Sequence, residues 1–133
     1  MLEMPESKTR VLVIDDDEDV RVFVQALLEG EGFEVAAAAN GQEGLELQRK
    51  QPAQVVVTDI FMPGKEGMET IFEMRQQFPQ TGIIVMSGGP SKRRHPGLDY
   101  LSLALNLGAV RSLKKPFATQ ELIDAVRELG GPR

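Results

Sequence analysis

Cysteine and tryptophan are absent from this sequence of 133 residues, which also has only one tyrosine and one histidine. The absence of cysteine excludes disulfides, zinc-thiolate centres and cysteine nucleophiles, and it fits a reducing compartment. No apolar run approaches the roughly 20 residues that a membrane-spanning helix needs. Residues 1–8 carry acidic charge and no apolar stretch, so they do not match a signal peptide. We therefore expect a cytoplasmic protein with no membrane association.

Positive charge is in deficit. The chain has 15 lysine and arginine residues against 20 aspartate and glutamate residues, which gives a net charge of -5 at pH 7. This balance argues against nucleic acid as a partner held by overall electrostatics. The length fits one domain, and we expect a folded core over about 9–129 with tails at 1–8 and 130–133.

Short apolar runs bounded by polar residues predict buried parallel strands, and apolar residues at helical spacing predict helices between them. The predicted strands are 11–14, 33–35, 54–59, 81–87 and 110–113. The predicted helices are 18–29, 42–49, a segment marked by Met68, Ile71, Phe72 and Arg75, 98–107, and 119–129. Phe23, Leu27, Ile71 and Phe72 are expected in the core, Asp17 or Glu18 as a helix cap, and Thr119 as the cap of the last helix.

This alternation of strand and helix predicts an α/β fold with a doubly wound parallel sheet of five strands and five helices. In the flavodoxin-like strand order 2-1-3-4-5, the chain reverses direction across the sheet between strands one and three, and ligands bind at that point. Strands one and three are the two that run into aspartates. Topology and residue chemistry therefore indicate the same crevice.

Polar residues follow four of the predicted strands where each strand ends. They are Asp15 and Asp16 after the first strand, Asp59 at the end of the third, Ser87 at the end of the fourth and Lys115 after the fifth. Carboxylates held together repel one another unless a cation or a proton joins them. The sequence therefore predicts a metal and phosphate site at one edge of the sheet.

In combination, these motifs resemble the receiver domain of two-component response regulators, over residues 9–129. Val-Ile-Asp-Asp at 13–16 is similar to the acidic pair of that family. Asp59, followed by Met62-Pro63-Gly64, is similar to its phospho-accepting aspartate. Ser87 matches its hydroxyl position, and Lys115-Pro116-Phe117 matches its lysine motif.

The resemblance implies a function and a set of site residues. A phosphoryl group would pass from the phosphohistidine of a sensor histidine kinase or phosphotransfer protein to Asp59, assisted by Ser87 and Lys115. Such a domain is a signalling phospho-acceptor that assists its own phosphorylation and dephosphorylation, rather than an enzyme. The family's cofactor is Mg²⁺, and its expected ligands here are Asp16, Asp59 and the backbone carbonyl of Phe61 directly, with Asp15 acting through water. A cis Lys115-Pro116 bond is also implied, whereas Lys114 should be a solvated charge.

One alternative enzyme class fits part of the pattern. Asp15-x-Asp17 after a strand, Ser87 after another, and a later Lys115 resemble an aspartate-nucleophile phosphatase of the haloacid dehalogenase type, with Asp15 as nucleophile. That class needs further acidic ligands late in the chain, where only Glu121 and Asp124 are available, and it leaves Asp59 without a role.

Two features depart from the receiver pattern. Ser112 stands where the family has a switch aromatic, and the Pro- and Gly-rich segment 88–97 is longer than usual. We therefore expect the activating change to be carried by that loop and by the helix at 98–107. The helix at 98–107 is apolar over a wide arc, which leaves two readings open: a deeply buried helix, or a contact surface for a downstream protein or a second copy. We expect a single receiver domain that acts by docking, as a phosphate sink or relay, or as part of a longer chain.

Overall fold

The structure is a computed structural model that describes residues 8–60, 67–87 and 111–130. Within these ranges it has five strands and four helices, in the chain order β1 (Arg10–Ile14), α1 (Glu18–Gly30), β2 (Glu34–Ala38), α2 (Gly41–Lys50), β3 (Val55–Asp59), α3 (Gly67–Gln77), β4 (Gly82–Ser87), β5 (Arg111–Lys114) and α4 (Thr119–Gly130). Outside the described residues lie the helix predicted at 98–107, the loop at 88–97 and Phe61. None of the described helices is long and apolar enough to cross a bilayer.

The five strands form one parallel sheet in the order β2-β1-β3-β4-β5, which confirms the predicted flavodoxin-like order. The register brings the strand ends level with one another. Ile14 lies opposite Thr58, and Asp59 lies opposite Met86. The residues that follow β1 and those that end β3 are therefore neighbours at the carboxyl edge of the sheet.

Alternate residues of each strand enter two separate cores, one on each face of the sheet. Val11 and Val13 pack with the buried stripes of α1 and α4 on one face. Leu12 and Ile14 pack with α2 and α3 on the other face. Because apolar side chains cover both faces, polar side chains can gather only at the ends of the strands.

The strand predicted at 33–35 is displaced, since β2 runs from Glu34 to Ala38. The three alanines in β2 have little intrinsic preference for strand structure. The sequence pattern therefore predicted a strand that ends before them. Pairing with β1 overrides that preference as far as Ala38, which lies opposite Ile14. Phe33 precedes the strand, and its N–H donates to the carbonyl of Leu28 at 3.1 Å.

Three expectations for helix residues were wrong. Phe23 and Phe72, expected in the core, are about half exposed, because each stands beside the buried stripe of its helix rather than on it. Thr119 is the first residue of α4 and not its cap. The N-terminus of that helix is held instead by the Ala118 carbonyl, which accepts from the N–H of Leu122, and by the Glu121 carboxylate, which accepts from the N–H of Ala118.

Candidate functional site

Three aspartates meet at the carboxyl edge of the sheet. Asp15 follows β1, Asp16 comes next in the turn, and Asp59 ends β3. Each offers a carboxylate oxygen, and these oxygens lie within 4.8 Å of one another. Asp15 is fully buried and Asp59 is 7% exposed, whereas Asp16 is open to solvent. Such a cluster of oxygen ligands, with one member reachable from outside, can hold a hard divalent cation.

Both carboxylate oxygens of Asp15 accept a hydrogen bond. Its Oδ1 accepts from the backbone N–H of Asp17 at 2.9 Å, and its Oδ2 accepts from the Lys115 ammonium at 2.8 Å. Its backbone N–H donates to the Ala38 carbonyl at 3.1 Å. A buried carboxylate is tolerated only when it is paired and hydrogen-bonded in this way.

The turn that carries the acidic pair is short, because only three residues lie between the end of β1 at Ile14 and the start of α1 at Glu18. Asp17 caps α1, and its side chain accepts from the N–H of Asp19 at 2.9 Å. This confirms the predicted cap and satisfies one of the free N–H groups at the start of the helix. Because its carboxylate caps the helix, Asp17 has a structural role and is not part of the aspartate cluster.

Lys115 links two of the three aspartates. Its Nζ lies 2.8 Å from Asp15 Oδ2 and 3.6 Å from Asp59 Oδ2. Burial acts to lower the pKa of Lys115, but the hydrogen bond to Asp15 and the charges of Asp59 and Asp15 outweigh burial, so the pKa is raised above its ordinary 10.5. The ammonium therefore stays charged throughout the physiological range and offsets part of the negative charge of the cluster.

The Ser87 hydroxyl ends β4 beside this cluster. Ser87 is 2% exposed, and its Oγ has no hydrogen-bond partner within the part of the chain that the structure describes. Its carbonyl accepts from the N–H of Lys115 at 2.7 Å, which fixes the start of the lysine segment against β4. A buried hydroxyl without a partner is costly, and it is explained if a ligand supplies the missing acceptor.

The structure brings together four of the residues predicted from sequence, namely Asp15, Asp16, Asp59 and Lys115, and it places Ser87 at the end of the next strand. Lys114 is exposed, as predicted, and the Lys115-Pro116 bond is cis, as predicted. Ser112 is exposed on β5, and the readout expected at 88–107 lies outside the described residues.

One contact at this edge was not predicted. The Arg21 guanidinium of α1 donates through Nη1 to the backbone carbonyl of Asp15 at 2.7 Å. In the sequence, the only indication of this contact is an arginine near the start of the helix that follows the acidic pair. That spacing does not show in which direction the arginine side chain extends.

The family model "Response regulator receiver domain" matches residues 11–127. A putative NtrX-like response regulator of Rickettsia bellii (strain RML369-C) is 30% identical over 115 residues, which make up 85% of this chain and 23% of that protein. The chain spans less than a quarter of the length of the curated relatives it matches.

Solved structures agree with this family. A CheY-like response regulator receiver domain protein from Methanospirillum hungatei JF-1 has a TM-score of 0.83 at 30% identity, covering 92% of this chain and 93% of that chain. A response regulator receiver domain protein from Clostridium thermocellum has a TM-score of 0.81 at 32% identity, covering 91% of this chain and 93% of that chain.

The first prediction concerns the link through Lys115. In metal-free buffer, Lys115→Met should lower the free energy of unfolding by about 2 kcal/mol, because it removes a charged hydrogen bond to buried Asp15. Since the pKa of Lys115 is raised in the folded protein, this stability is fully present below the ordinary value of 10.5 and is lost as the pH rises through the higher folded-state pKa.

Urea denaturation of wild type and variant across a pH series measures this difference. The exposed neighbour serves as control, and Lys114→Met should cost little at any pH. Equal losses for the two variants, or a difference that grows above the ordinary lysine pKa, would contradict the assignment.

Proposed function

Since this chain belongs to the response regulator receiver domain family, we propose that it takes a phosphoryl group from the phosphohistidine of a sensor kinase or phosphotransfer protein onto Asp59. The observation that carries this proposal is the convergence of three carboxylates, with the Lys115 ammonium reaching two of them. An Asp carboxylate is a competent nucleophile toward phosphorus. Phosphoryl transfer needs chiefly positioning and charge neutralisation, and here the neutralising charge would come from the Lys115 ammonium and a bound cation.

Asp59 is the acceptor within this cluster. One of its carboxylate oxygens forms a bond to phosphorus as the bond from phosphorus to the imidazole nitrogen breaks, and the electron pair remains on that nitrogen. Lys115 already lies 3.6 Å from Asp59 Oδ2, so its ammonium can pair with a phosphoryl oxygen on that carboxylate. The Ser87 hydroxyl, which has no partner among the described residues, would donate to another of the phosphoryl oxygens.

The residues fit a magnesium ion. Its ligands would be Asp16 and Asp59 directly, Asp15 through water, and the carbonyl of Phe61, which lies outside the described residues. Carboxylates, carbonyls and water are the ligands that Mg²⁺ takes, and the exposed Asp16 offers an entry path. When bound, the ion supplies positive charge that neutralises the carboxylates and the entering phosphoryl group.

The phosphatase alternative, with Asp15 as nucleophile, is not favoured by the family match. The contacts of Asp15 also argue against it, since the residue is fully buried and both of its carboxylate oxygens accept hydrogen bonds. A nucleophile must be reachable by its substrate, and Asp59 retains 7% exposure where Asp15 has none. The domain is thus a phospho-acceptor that assists its own phosphorylation and dephosphorylation, within a phosphorelay.

Partners and location follow from the same proposal. The phosphoryl donor is a sensor kinase or phosphotransfer protein, and the absence of cysteine fits the reducing cytoplasm. A downstream protein or a second copy that docks at 98–107 belongs to this proposal, although that segment lies outside the described residues. The folded core expected at 9–129 would be one receiver domain, whatever else the full protein contains.

The second prediction tests the acceptor. Incubation with acetyl phosphate and Mg²⁺ should add one phosphoryl group to the wild type by intact mass, and none when EDTA replaces Mg²⁺. Asp59→Asn should abolish the adduct, because an amide is not a nucleophile toward phosphorus. Asp124→Asn, which makes the same change on the exposed surface of α4, should retain it. An adduct that persists in Asp59→Asn but disappears in Asp15→Asn would support the phosphatase alternative instead.

The third prediction separates the function of Ser87 from its contribution to stability. Ser87→Ala should leave the free energy of unfolding unchanged or raise it by up to about 1 kcal/mol, because it removes a buried hydroxyl that has no partner in the described ranges. The same change should slow adduct formation by about 10²-fold, since a donor to the transferring group is lost. Urea denaturation and the rate of phosphorylation measure the two effects.

Ser112→Ala is the matched control, because that serine is exposed on the neighbouring strand and should affect neither quantity. A destabilised Ser87→Ala that accepts phosphate at the wild-type rate would mean that the hydroxyl is purely structural.

A further inference from the structure

The Arg21 side chain extends from α1 back to the carboxyl edge of the sheet, where the aspartates lie. Its backbone N–H donates to the Asp17 carbonyl at 3.1 Å as part of the helix, while its Nη1 donates to the Asp15 carbonyl at 2.7 Å. Side chains of a helix lean toward its N-terminus, so an arginine in the second turn can reach the residues that precede the helix. Arg21 therefore binds both ends of the turn at 15–17.

The Asp15 carbonyl needs a donor of this kind. Ile14 and Ala38 are the last paired residues of β1 and β2, so the Asp15 carbonyl lies beyond the end of the ladder. A buried carbonyl without a partner would be costly. Because the acceptor is a carbonyl rather than a carboxylate, the guanidinium fixes the backbone and leaves both Asp15 carboxylate oxygens to Asp17 and Lys115.

The position of Asp16 depends on that backbone. The Asp16 side chain is exposed, and its carboxylate accepts no hydrogen bond from residues 8–60, 67–87 or 111–130. The peptide bond between Asp15 and Asp16 therefore sets where the Asp16 carboxylate lies in the cluster. Loss of the guanidinium contact would remove one of the hydrogen bonds that hold this turn, beside the bond from the Asp17 N–H to Asp15 Oδ1, and would give the Asp16 peptide more freedom to move.

We propose that Arg21 is a positioning residue for the metal site, holding the Asp15 carbonyl so that the Asp16 carboxylate stays converged with that of Asp59. This inference rests on the proposed function, because it assigns Arg21 to the Mg²⁺ site described there. A guanidinium also repels a cation, so loss of Arg21 through charge alone would strengthen Mg²⁺ binding. Loss of positioning would weaken it, and the sign of the change separates the two roles.

The fourth prediction follows. Arg21→Met keeps the aliphatic stem and removes the donor, and it should weaken Mg²⁺ binding about tenfold, as is typical when a group that orients a metal ligand is removed. Calorimetric titration with Mg²⁺, at a temperature where both proteins are fully folded, measures the affinity. Arg127→Met is the matched control, since it removes the same charge from α4 at a surface ion pair with Glu31 and should leave the affinity unchanged.

A second measurement needs no metal. In the metal-free protein the Asp17 amide, which donates to Asp15 Oδ1, should exchange with solvent faster in Arg21→Met than in wild type and should be unchanged in Arg127→Met. Mg²⁺ affinity equal to or above that of wild type would overturn the inference, as would an unchanged rate of Asp17 exchange.

The two proposals fail in different ways. A wild-type protein that binds Mg²⁺ but takes no phosphate refutes the proposed function, and the affinity of Arg21→Met still decides the role of Arg21. A wild-type protein that takes phosphate, together with an Arg21→Met variant that binds Mg²⁺ as tightly, refutes only the positioning role.

Discussion

Repulsion among three carboxylates at one edge of the sheet is the constraint on which the rest of the site depends. The parallel register brings the ends of β1 and β3 level, so Asp15 and Asp59 are forced together whatever their charges. Without a cation, the Lys115 ammonium is the positive charge that contacts both of them. The fold thus concentrates negative charge that a divalent cation can neutralise, at a cost to its own stability.

The members of the cluster differ in how firmly they are held, and this difference suits their separate tasks. Asp15 is buried and hydrogen-bonded at its N–H, its carbonyl and both carboxylate oxygens, so it can act as a fixed reference point. Asp16 is exposed, and its carboxylate has no hydrogen-bond partner within the described ranges, so it is accessible to a cation from solvent. Ser87 is buried at the end of β4, and its hydroxyl has no hydrogen-bond partner among the residues that the structure describes. Under the proposed function, Asp15 would be the fixed anchor, Asp16 the accessible metal ligand and Ser87 the donor to the phosphoryl group.

Much of the fold and the site could be predicted from sequence, because apolar runs that end in aspartate, serine or lysine specify both the strands and the edge where they meet. The wrong or missing predictions concern features that the spacing of apolar and polar residues does not specify. The alanines of β2 are drawn into the sheet by pairing with β1, which propensity does not encode. Phe23 and Phe72 lie one position away from the buried stripes of their helices. The contact of Arg21 with the Asp15 carbonyl depends on how far a long side chain reaches around a turn, which spacing alone leaves open.

The central claim is that these carboxylates form a metal-dependent acceptor site with Asp59 as its nucleophile. A crystal structure of the protein grown with Mg²⁺ and beryllofluoride, which mimics a phosphoryl group on a carboxylate, tests it most directly. The account predicts beryllofluoride bonded to an Asp59 oxygen, a cation contacting Asp16 and Asp59, and both Lys115 and Ser87 within hydrogen-bonding distance of the fluorides. Beryllofluoride bonded to Asp15, or an Asp59 carboxylate left unmodified beside a bound cation, would contradict it.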